Sequence, residues 1–334
     1  MTTDAMLTGT EGLHALRTAA GWAPLTDVGW IAVLGNDRVR WLNGMVTNSV
    51  QALQVGDGAY TFLLNAQGRI QGDATVWCSS EDLLLLETDL SQLQPMMELL
   101  DRFIIMDDVE LREFRDDWKG VRIAGPDASA LLAKLDLPAP TGALAKHTGL
   151  HWRGYTLTLI RAYSPLVPRF EVWSRDAGAI AELAAALRQG GTQDVSPESF
   201  ELLRMLEGIP RYGIDIRDKD LPQETAQTRA LHFSKGCYLG QEIVERIRSR
   251  GQVHRTFAQF ALTGDVPSPG AELSSDGKPV GVLTSVAAEP VDGTRLALGY
   301  LRREALERRL PLSYEGGTAT ARVEAPGANA ASNA

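Results

Sequence analysis

Residues 235–246 read KGCYLGQEIVER, with one cysteine between two glycines just before a predicted helix. Backbone N–H groups and the helix dipole at such a position stabilise a thiolate, and Lys235 would act in the same direction. Cys237 is therefore interpreted as a reactive or redox-active thiol. A second interpretation is a small buried residue in a tight turn, with the glycines serving backbone geometry. This stretch, called the cysteine signature below, is consistent with both.

The composition around the cysteine signature is that of an ordinary globular protein. The chain has 334 residues, 44% hydrophobic and 22% charged, which predicts two domains or one large compound domain. Its net charge of −9 argues against broad nucleic-acid binding, because that requires a basic surface. Two cysteines and five scattered histidines are too few for a disulfide framework or a metal centre built by one chain. With neither a signal-peptide pattern nor an apolar stretch of membrane-helix length, we expect no membrane contact and a cytoplasmic location.

The predicted elements before the cysteine signature repeat in order. The order is two strands, then an Asp or Ser at a helix cap, then an amphipathic helix. This order occurs twice, which predicts two α+β lobes. The turn at residues 65–68 is expected to close a hairpin. A helix that starts at Ser196–Pro197 is expected to end at Pro210. The predicted strands are residues 28–34, 59–64, 69–77, 82–87, 109–114, 120–124, 155–162 and 170–173, and the predicted helices include residues 38–42, 128–135, 177–187 and 240–248.

The pattern changes after residue 252. Short apolar alternations at residues 257–262, 280–286 and 295–300 are separated by Gly, Pro, Asp and Ser clusters. Such a pattern predicts a small all-β domain, either a barrel or a sandwich. Residues 326–334 are small and polar, which is typical of a disordered tail.

The cysteine signature resembles that of the YgfZ family, folate-binding proteins related to the aminomethyltransferase (T-protein) of the glycine cleavage system. Other segments are similar to the same superfamily, although Ser49 stands where an Asp is usual. The resemblance covers roughly residues 28–301. The segments are LNGMVTN at 42–48, NAQGR at 65–69, LEGIPRYGID at 206–215, LPQE at 221–224, VGVLTS at 280–285 and LALGY at 296–300.

This resemblance implies a fold and a division into domains. The expected class is α+β: two intertwined α+β lobes that form a folate-binding ring, plus a C-terminal β-barrel. Residues 1–251 would form the folate-binding region, residues 252–325 the barrel, and residues 326–334 the tail.

The resemblance also implies a role. YgfZ-like proteins support assembly or repair of iron–sulfur clusters in client enzymes, including tRNA-modifying enzymes, and a mitochondrial cluster-assembly factor belongs to the same family. Cys237 would then be a reactive or cluster-ligating thiol, and tetrahydrofolate the cofactor. Two alternatives stay open. One is an aminomethyltransferase that moves a one-carbon unit to tetrahydrofolate, and the other is a folate-binding or protein-interaction module without chemistry of its own.

Two carboxylates are site candidates. A reduced pterin presents a 2-amino group and a ring N–H as parallel donors, which one buried carboxylate accepts together. Glu207 matches the superfamily's pterin-binding glutamate, and Asp73 lies where aminomethyltransferases carry their catalytic aspartate. The alternatives are a solvated helix-end carboxylate for Glu207 and an outward polar strand residue for Asp73.

The remaining candidates would orient the folate or bind its tail. Aromatic rings and an Arg near the predicted hairpin could stack on or orient the ligand, and cations after residue 228 could meet the tail carboxylates. Three interpretations of the basic run at residues 246–255 stay open: a solvated face, a surface for the anionic folate tail, or a surface for an acidic partner. The candidates are Cys237 and Asp73 as catalytic residues, and Glu207, Tyr60, Arg69, Tyr212, Arg229, Lys235 and Arg246 as cofactor-binding residues.

Overall fold

The computed structural model describes residues 6–114, 118–140, 145–251 and 253–322. The tail predicted at residues 326–334 and the predicted domain boundary at Gln252 lie outside the described residues. The helices are α1 (Gly9–Thr18), α2 (Arg38–Met45), α3 (Leu93–Asp101), α4 (Ala128–Lys134), α5 (Ala177–Gln189), α6 (Pro197–Glu207), α7 (Gln241–Arg250) and α8 (Arg303–Glu307).

The strands form two sheets and a barrel. They are β1 (Gly21–Leu25), β2 (Val28–Leu34), β3 (Gly58–Leu64), β4 (Ile70–Ser80), β5 (Leu83–Asp89), β6 (Glu110–Phe114), β7 (Lys119–Ala124), β8 (Lys146–Trp152), β9 (Tyr155–Ala162), β10 (Arg169–Ser174), β11 (Gln193–Asp194), β12 (Arg255–Gly264), β13 (Glu272–Ser275), β14 (Lys278–Val286), β15 (Arg295–Arg302), β16 (Leu312–Tyr314) and β17 (Gly317–Arg322).

The first lobe is built on a five-stranded antiparallel sheet with the order β3-β4-β5-β2-β6. Alternate residues of β2, such as Ile31 and Val33, enter an apolar core with α2 and α3. The predicted hairpin at residues 65–68 is confirmed. The side chain of Asn65 accepts hydrogen bonds from the backbone N–H of Gln67 and Arg69, each at 3.0 Å.

The second lobe has a six-stranded sheet with the order β11-β1-β7-β10-β9-β8. Strand β1 pairs antiparallel with β7, although β2, which follows it directly, lies in the other sheet. The chain therefore starts in the second lobe, builds the first, and returns. This crossing makes the two lobes intertwined, as expected. Strands β1, β8 and β11 of this sheet are missing from the sequence prediction. The polar and apolar residues of β1 and β8 do not alternate clearly, and β11 has only two residues.

Several predicted helix ends differ from the structure by one to three residues, and two of these differences have identifiable reasons. Helix α6 ends at Glu207 rather than at Pro210, because Gly208 takes a left-handed conformation (φ 70°) and its N–H reaches the last carbonyls. Helix α2 does not stop at Leu42. It continues to Met45, whose side chain is buried in the core of the first lobe.

The C-terminal strands close into a six-stranded barrel with the order β12-β15-β14-β13-β16-β17. Its interior is apolar, and includes Phe260, Leu273 and Leu283, each fully buried. The barrel is anchored to the second lobe through α6, because Gln259 of β12 donates to the carbonyl oxygens of Met205 and Leu206 at 2.6 and 3.0 Å. The predicted α+β class with a C-terminal barrel is confirmed.

Candidate functional site

A cavity of about 1310 Å³ lies between the two sheets. Strands β3, β4 and β5 line one side, β7 and β10 line the other, and α6 and the segment after β14 complete the wall. Pockets for small ligands usually measure about 300–1,000 Å³, so this one has room for an extended molecule. Charged and aromatic side chains from both lobes face its interior.

Asp73 on β4 lines the cavity and is held by two side chains. Tyr60 donates its hydroxyl to Oδ2 at 2.6 Å, and Gln92 donates Nε2 to Oδ1 at 2.7 Å. Gln92 also accepts the backbone N–H of Asp73 at 3.0 Å. Burial raises the pKa of Asp73, while the bonds from Tyr60 and Gln92 oppose that change. The carboxylate is thus fixed in orientation and partly desolvated.

Arg229 lines the same cavity between two tyrosine rings. Its guanidinium carbon lies 3.8 Å from the ring centre of Tyr60 and 3.9 Å from that of Tyr163. Nε donates to the side-chain oxygen of Gln227 at 3.1 Å. Burial lowers the pKa of Arg229, and the charges of nearby acidic groups oppose this. Because both faces of the guanidinium are covered, a ligand could meet only its N–H edge.

Glu207 is 2% exposed, and it also lines the cavity. Its Oε1 atom accepts the hydroxyl of Ser164 and, at 3.4 Å, the backbone N–H of Leu166. Burial raises the pKa of Glu207, and Ser164 opposes that change. The carboxylate is therefore not the solvated helix-end group that was the alternative interpretation.

A second pair of carboxyl groups in the cavity wall is missing from the sequence prediction. Glu87 on β5 and Glu171 on β10 come from different sheets and hydrogen-bond to each other. Each also accepts an indole N–H from its own sheet: Glu87 from Trp77 at 2.7 Å, and Glu171 from Trp173 at 3.1 Å. Burial and the adjacent Glu171 raise the pKa of Glu87 well above its usual range, which favours protonated Glu87 as the donor in this hydrogen bond.

A sequence signal for this pair exists. Each glutamate stands in a strand whose neighbours are apolar, LLLLE at residues 83–87 and FEVW at residues 170–173. A charge within a buried strand requires a partner or a cavity, because an isolated buried carboxylate is strongly unfavourable. Only the tertiary structure shows that the two glutamates are each other's partner.

Four of the predicted site residues lie outside the cavity wall, although all four are described by the structure. Arg69 donates to the carbonyl oxygen of Lys219 at 2.5 Å. Lys235 donates to three backbone carbonyl oxygens. Arg246 and Cys237 are exposed. The cavity thus brings together Asp73, Tyr60, Tyr212, Arg229 and Glu207, and it leaves the cysteine signature on another surface.

The cavity residues fit a reduced folate chemically. Buried carboxylates are present for the pterin donors, and a guanidinium edge is present for an acceptor on the ligand. Within the described residues, no group of three or more His, Cys, Asp or Glu side chains is arranged to hold a metal ion. The helices in the described ranges include none that is long and apolar enough to cross a membrane.

Comparisons with known proteins identify relatives that match most of the chain. The aminomethyltransferase of Streptomyces coelicolor is 26% identical over 298 residues, which is 86% of this chain and 79% of that protein. A chloroplastic protein of Arabidopsis thaliana is 25% identical over 298 residues, which is 88% of this chain and 68% of that protein. The crystal structure of the glycine cleavage system aminomethyltransferase T from Bartonella henselae has a similar fold, with a TM-score of 0.81 at 20% identity over 95% of this chain and 88% of that chain.

Two domain families match consecutive parts of the chain. Residues 7–235, which include both lobes, match the GCVT N-terminal domain, and residues 255–327 match the CAF17 C-terminal β-barrel domain. Because the first match covers well over half of the sequence, the chain belongs to the GCVT N-terminal domain family, with a CAF17-type barrel at its C-terminal end.

Proposed function

We propose that this protein binds a tetrahydrofolate between its lobes and acts as an accessory protein in the assembly or repair of iron–sulfur clusters in client enzymes, such as tRNA-modifying enzymes. The observation that carries the proposal is that the cavity and the thiol of Cys237 lie in different places on the protein. A cavity for a small molecule lies between the sheets, and an exposed thiol lies on a different surface. The CAF17-type barrel supports the proposal only through the resemblance, because the family resemblance that implies the cluster-assembly role also implies a C-terminal β-barrel.

The folate part rests on charge and burial. A pterin has adjacent N–H donors, and taking them out of water requires a carboxylate that accepts both. Glu207 and Glu171, at 2% and 1% exposure, are the least exposed carboxylates of the cavity wall. The edge of the Arg229 guanidinium would meet a carbonyl or carboxylate oxygen of the ligand. When bound, tetrahydrofolate would carry one-carbon units on its nitrogen atoms.

The cluster part rests on Cys237. The thiol is exposed, and α7 starts four residues later at Gln241. One thiol satisfies only a quarter of the usual ligand set of an iron–sulfur cluster, so the other ligands would come from a client protein. The basic residues along α7, Arg246, Arg248 and Arg250, would attract an acidic client surface.

Isothermal titration calorimetry with 5-formyltetrahydrofolate, a stable reduced folate, tests the first part. We expect saturable binding to the wild-type protein and at least about tenfold weaker binding to Glu207→Gln, because that substitution removes a buried acceptor charge. Absence of binding to the wild type would refute the folate part.

Complementation tests the second part. In a strain that lacks this protein, Cys237→Ala should fail to restore the activity of iron–sulfur client enzymes, whereas Cys78→Ala should restore it. Cys78 is the matched control because it is a thiol in a strand of the first lobe. Full restoration by Cys237→Ala would remove the thiol from the proposal. The cytoplasmic location stays a prediction that fractionation of the same strain would test.

A second candidate is an aminomethyltransferase, favoured by the geometry around Asp73. A desolvated carboxylate oriented by Tyr60 and Gln92 could stabilise developing positive charge on a one-carbon unit. A coupled assay with the aminomethyl carrier protein, ammonia release as readout and Asp73→Asn as control decides between the candidates. Turnover that depends on Asp73 would favour the transferase, and no turnover with folate binding intact would favour the accessory role.

A further inference from the structure

The loop that carries Cys237 is attached to a specific segment of the first lobe. We call residues 232–240 the cysteine loop and residues 43–48 the receiving segment. The receiving segment begins in α2 and leads toward β3, and it belongs to the LNGMVTN stretch of the sequence. Two backbone hydrogen bonds join loop and segment: His232 N to Thr47 O at 3.2 Å and Leu239 N to Gly44 O at 3.0 Å.

Between these two bonds, Lys235 inserts its ammonium group. Nζ donates to the carbonyl oxygens of Asn43 at 2.7 Å, Val46 at 2.6 Å and Asn48 at 2.6 Å. Burial lowers the pKa of Lys235 to about 7, and the three acceptors oppose that shift because only the ammonium form can donate to all of them. The lysine therefore has no donor left for a folate tail or for the sulfur of Cys237.

Asn48 continues this connection to the cavity. Its Nδ2 atom donates to the carbonyl oxygens of Tyr60 and Arg229, both at 2.9 Å. Asn48, Tyr60 and Arg229 all line the cavity, and Tyr60 binds Asp73. The backbone oxygen of Asn48 thus holds the cysteine loop, while its side chain holds the cavity wall.

We propose that Lys235 is a positioning residue that ties the cysteine loop to the cavity wall through Asn48, so that a ligand in the cavity changes the reactivity of Cys237. The inference deepens the proposed function and rests on it, because the ligand is the folate of that proposal. It assigns a use to the lysine of the cysteine signature that differs from folate binding and from activation of the sulfur. It also connects the cavity wall with the surface that carries Cys237, and these two surfaces share no residue.

The rate at which iodoacetamide alkylates Cys237 tests the proposal, in full-length protein that carries Cys78→Ser. The rate is measured with and without saturating 5-formyltetrahydrofolate. We expect the ligand to change it at least about fivefold, the lower end of typical coupling between two sites. In Lys235→Met the change should vanish and the rate without ligand should rise by a similar factor, since the loop loses its anchor. Lys219→Met, an exposed lysine, is the matched control and should behave as the parent protein.

A second variant covers the case in which Lys235→Met does not fold. Asn48→Ala keeps the carbonyl oxygen that Lys235 binds and removes the two bonds to the cavity wall. It should abolish the effect of the ligand at ligand concentrations that calorimetry shows to saturate the variant. A ligand effect of unchanged size in both variants would overturn the proposal.

The outcomes separate this inference from the proposed function. If 5-formyltetrahydrofolate binds the parent protein and leaves the alkylation rate unchanged, the inference fails and the folate part stands. If it does not bind, the folate part fails and with it the effect on Cys237, and an unchanged rate without ligand in Lys235→Met would then refute the anchoring role as well.

Discussion

The hydroxyl of Tyr60 lies 2.6 Å from Oδ2 of Asp73, on the neighbouring strand of the same sheet. This bond is one of the contacts that lower the pKa of Asp73 against the effect of burial. It also orients the carboxylate toward the space that the second lobe closes.

Tyr60→Phe should raise the pKa of Asp73 further, because the carboxylate loses a donor while its burial stays the same. Carbon-detected NMR titration of the Asp73 carboxyl would measure the change, with Asp73→Asn to assign the signal. Tyr155→Phe, at a tyrosine of the second lobe far along the chain, is the control. A titration curve that does not move toward higher pH in Tyr60→Phe would contradict the role given to this hydroxyl.

Glu87→Gln should flatten the dependence of stability on pH. The pKa of Glu87 is raised above its ordinary value of 4.5, so the folded state binds more protons than the unfolded state between the two values. The free energy of unfolding therefore falls as pH rises through that window, by at most about 1.4 kcal/mol per pH unit for one proton. The amide of the variant keeps a donor for Glu171 and does not titrate.

Urea denaturation at several pH values from 5 to 8.5 would measure this difference. We expect the variant to equal or exceed the wild type at the alkaline end and to lose its advantage at the acidic end. Glu98→Gln, at a residue of α3 that bonds Gln94, serves as the control for a surface carboxylate. Parallel profiles for wild type and Glu87→Gln would contradict a raised pKa of Glu87.

Folate binding and thiol reactivity should respond to different substitutions. Cys237→Ala should leave the affinity for 5-formyltetrahydrofolate within about twofold, because Cys237 does not line the cavity. Iodoacetamide should modify the exposed Cys237 before Cys78, because burial raises the pKa of the Cys78 thiol. Calorimetry and mass spectrometry of single-cysteine variants would measure both effects. A large loss of affinity in Cys237→Ala would place the thiol in the folate site instead.

Gly240→Ala should be more destabilising than Gly213→Ala. Both glycines have positive φ, 81° and 84°, so both variants lose about 1 kcal/mol to the left-handed conformation. A Cβ at Gly240 would lie 2.5 Å from the carbonyl oxygen of Asn65, whereas one at Gly213 would meet no atom within 4 Å. We expect an additional loss of about 1–3 kcal/mol for Gly240→Ala in urea denaturation. Equal losses of stability in the two variants would contradict this prediction. They would mean that the backbone between the hairpin and the start of α7 shifts at little cost to make room for the added Cβ.

The strands and the order of elements were predictable wherever the local pattern was strong. Val28–Leu34 and Tyr155–Ala162 are strands with the predicted bounds, because continuous apolar or alternating residues commit such segments to a sheet. Helix ends were less predictable. Gly208 and Pro210 are both helix-ending residues, and which one acts depends on the backbone conformation that packing selects.

The candidate site was only half predictable, for a different reason. Glu207 and Tyr212 lie in a segment similar to a known superfamily, and Asp73 lies where that superfamily carries a catalytic aspartate. Tyr60 and Arg229 were predicted to orient the ligand and to meet its tail, and the structure places all five residues around one cavity. Glu87 and Glu171 were missed because nothing in either strand indicates that the two side chains meet. Glu171 even has a charged partner in its own strand, since Arg169 donates to it at 2.9 Å. The partnership of the two glutamates depends on how two sheets face one another, about which neither strand contains information.

By itself, the sequence determined the α+β lobes, a C-terminal all-β domain and the cysteine signature, because these depend on local periodicity and on residue types at short spacing. Periodicity left open whether the C-terminal domain is a barrel or a sandwich, and the barrel was implied by the family resemblance. Only the tertiary structure decided what Lys235 does. Its partners are backbone carbonyl oxygens nearly two hundred residues earlier in the chain. Every residue carries such an oxygen, so no side-chain pattern marks these three, and only the folded path of the chain brings them within reach of one ammonium group.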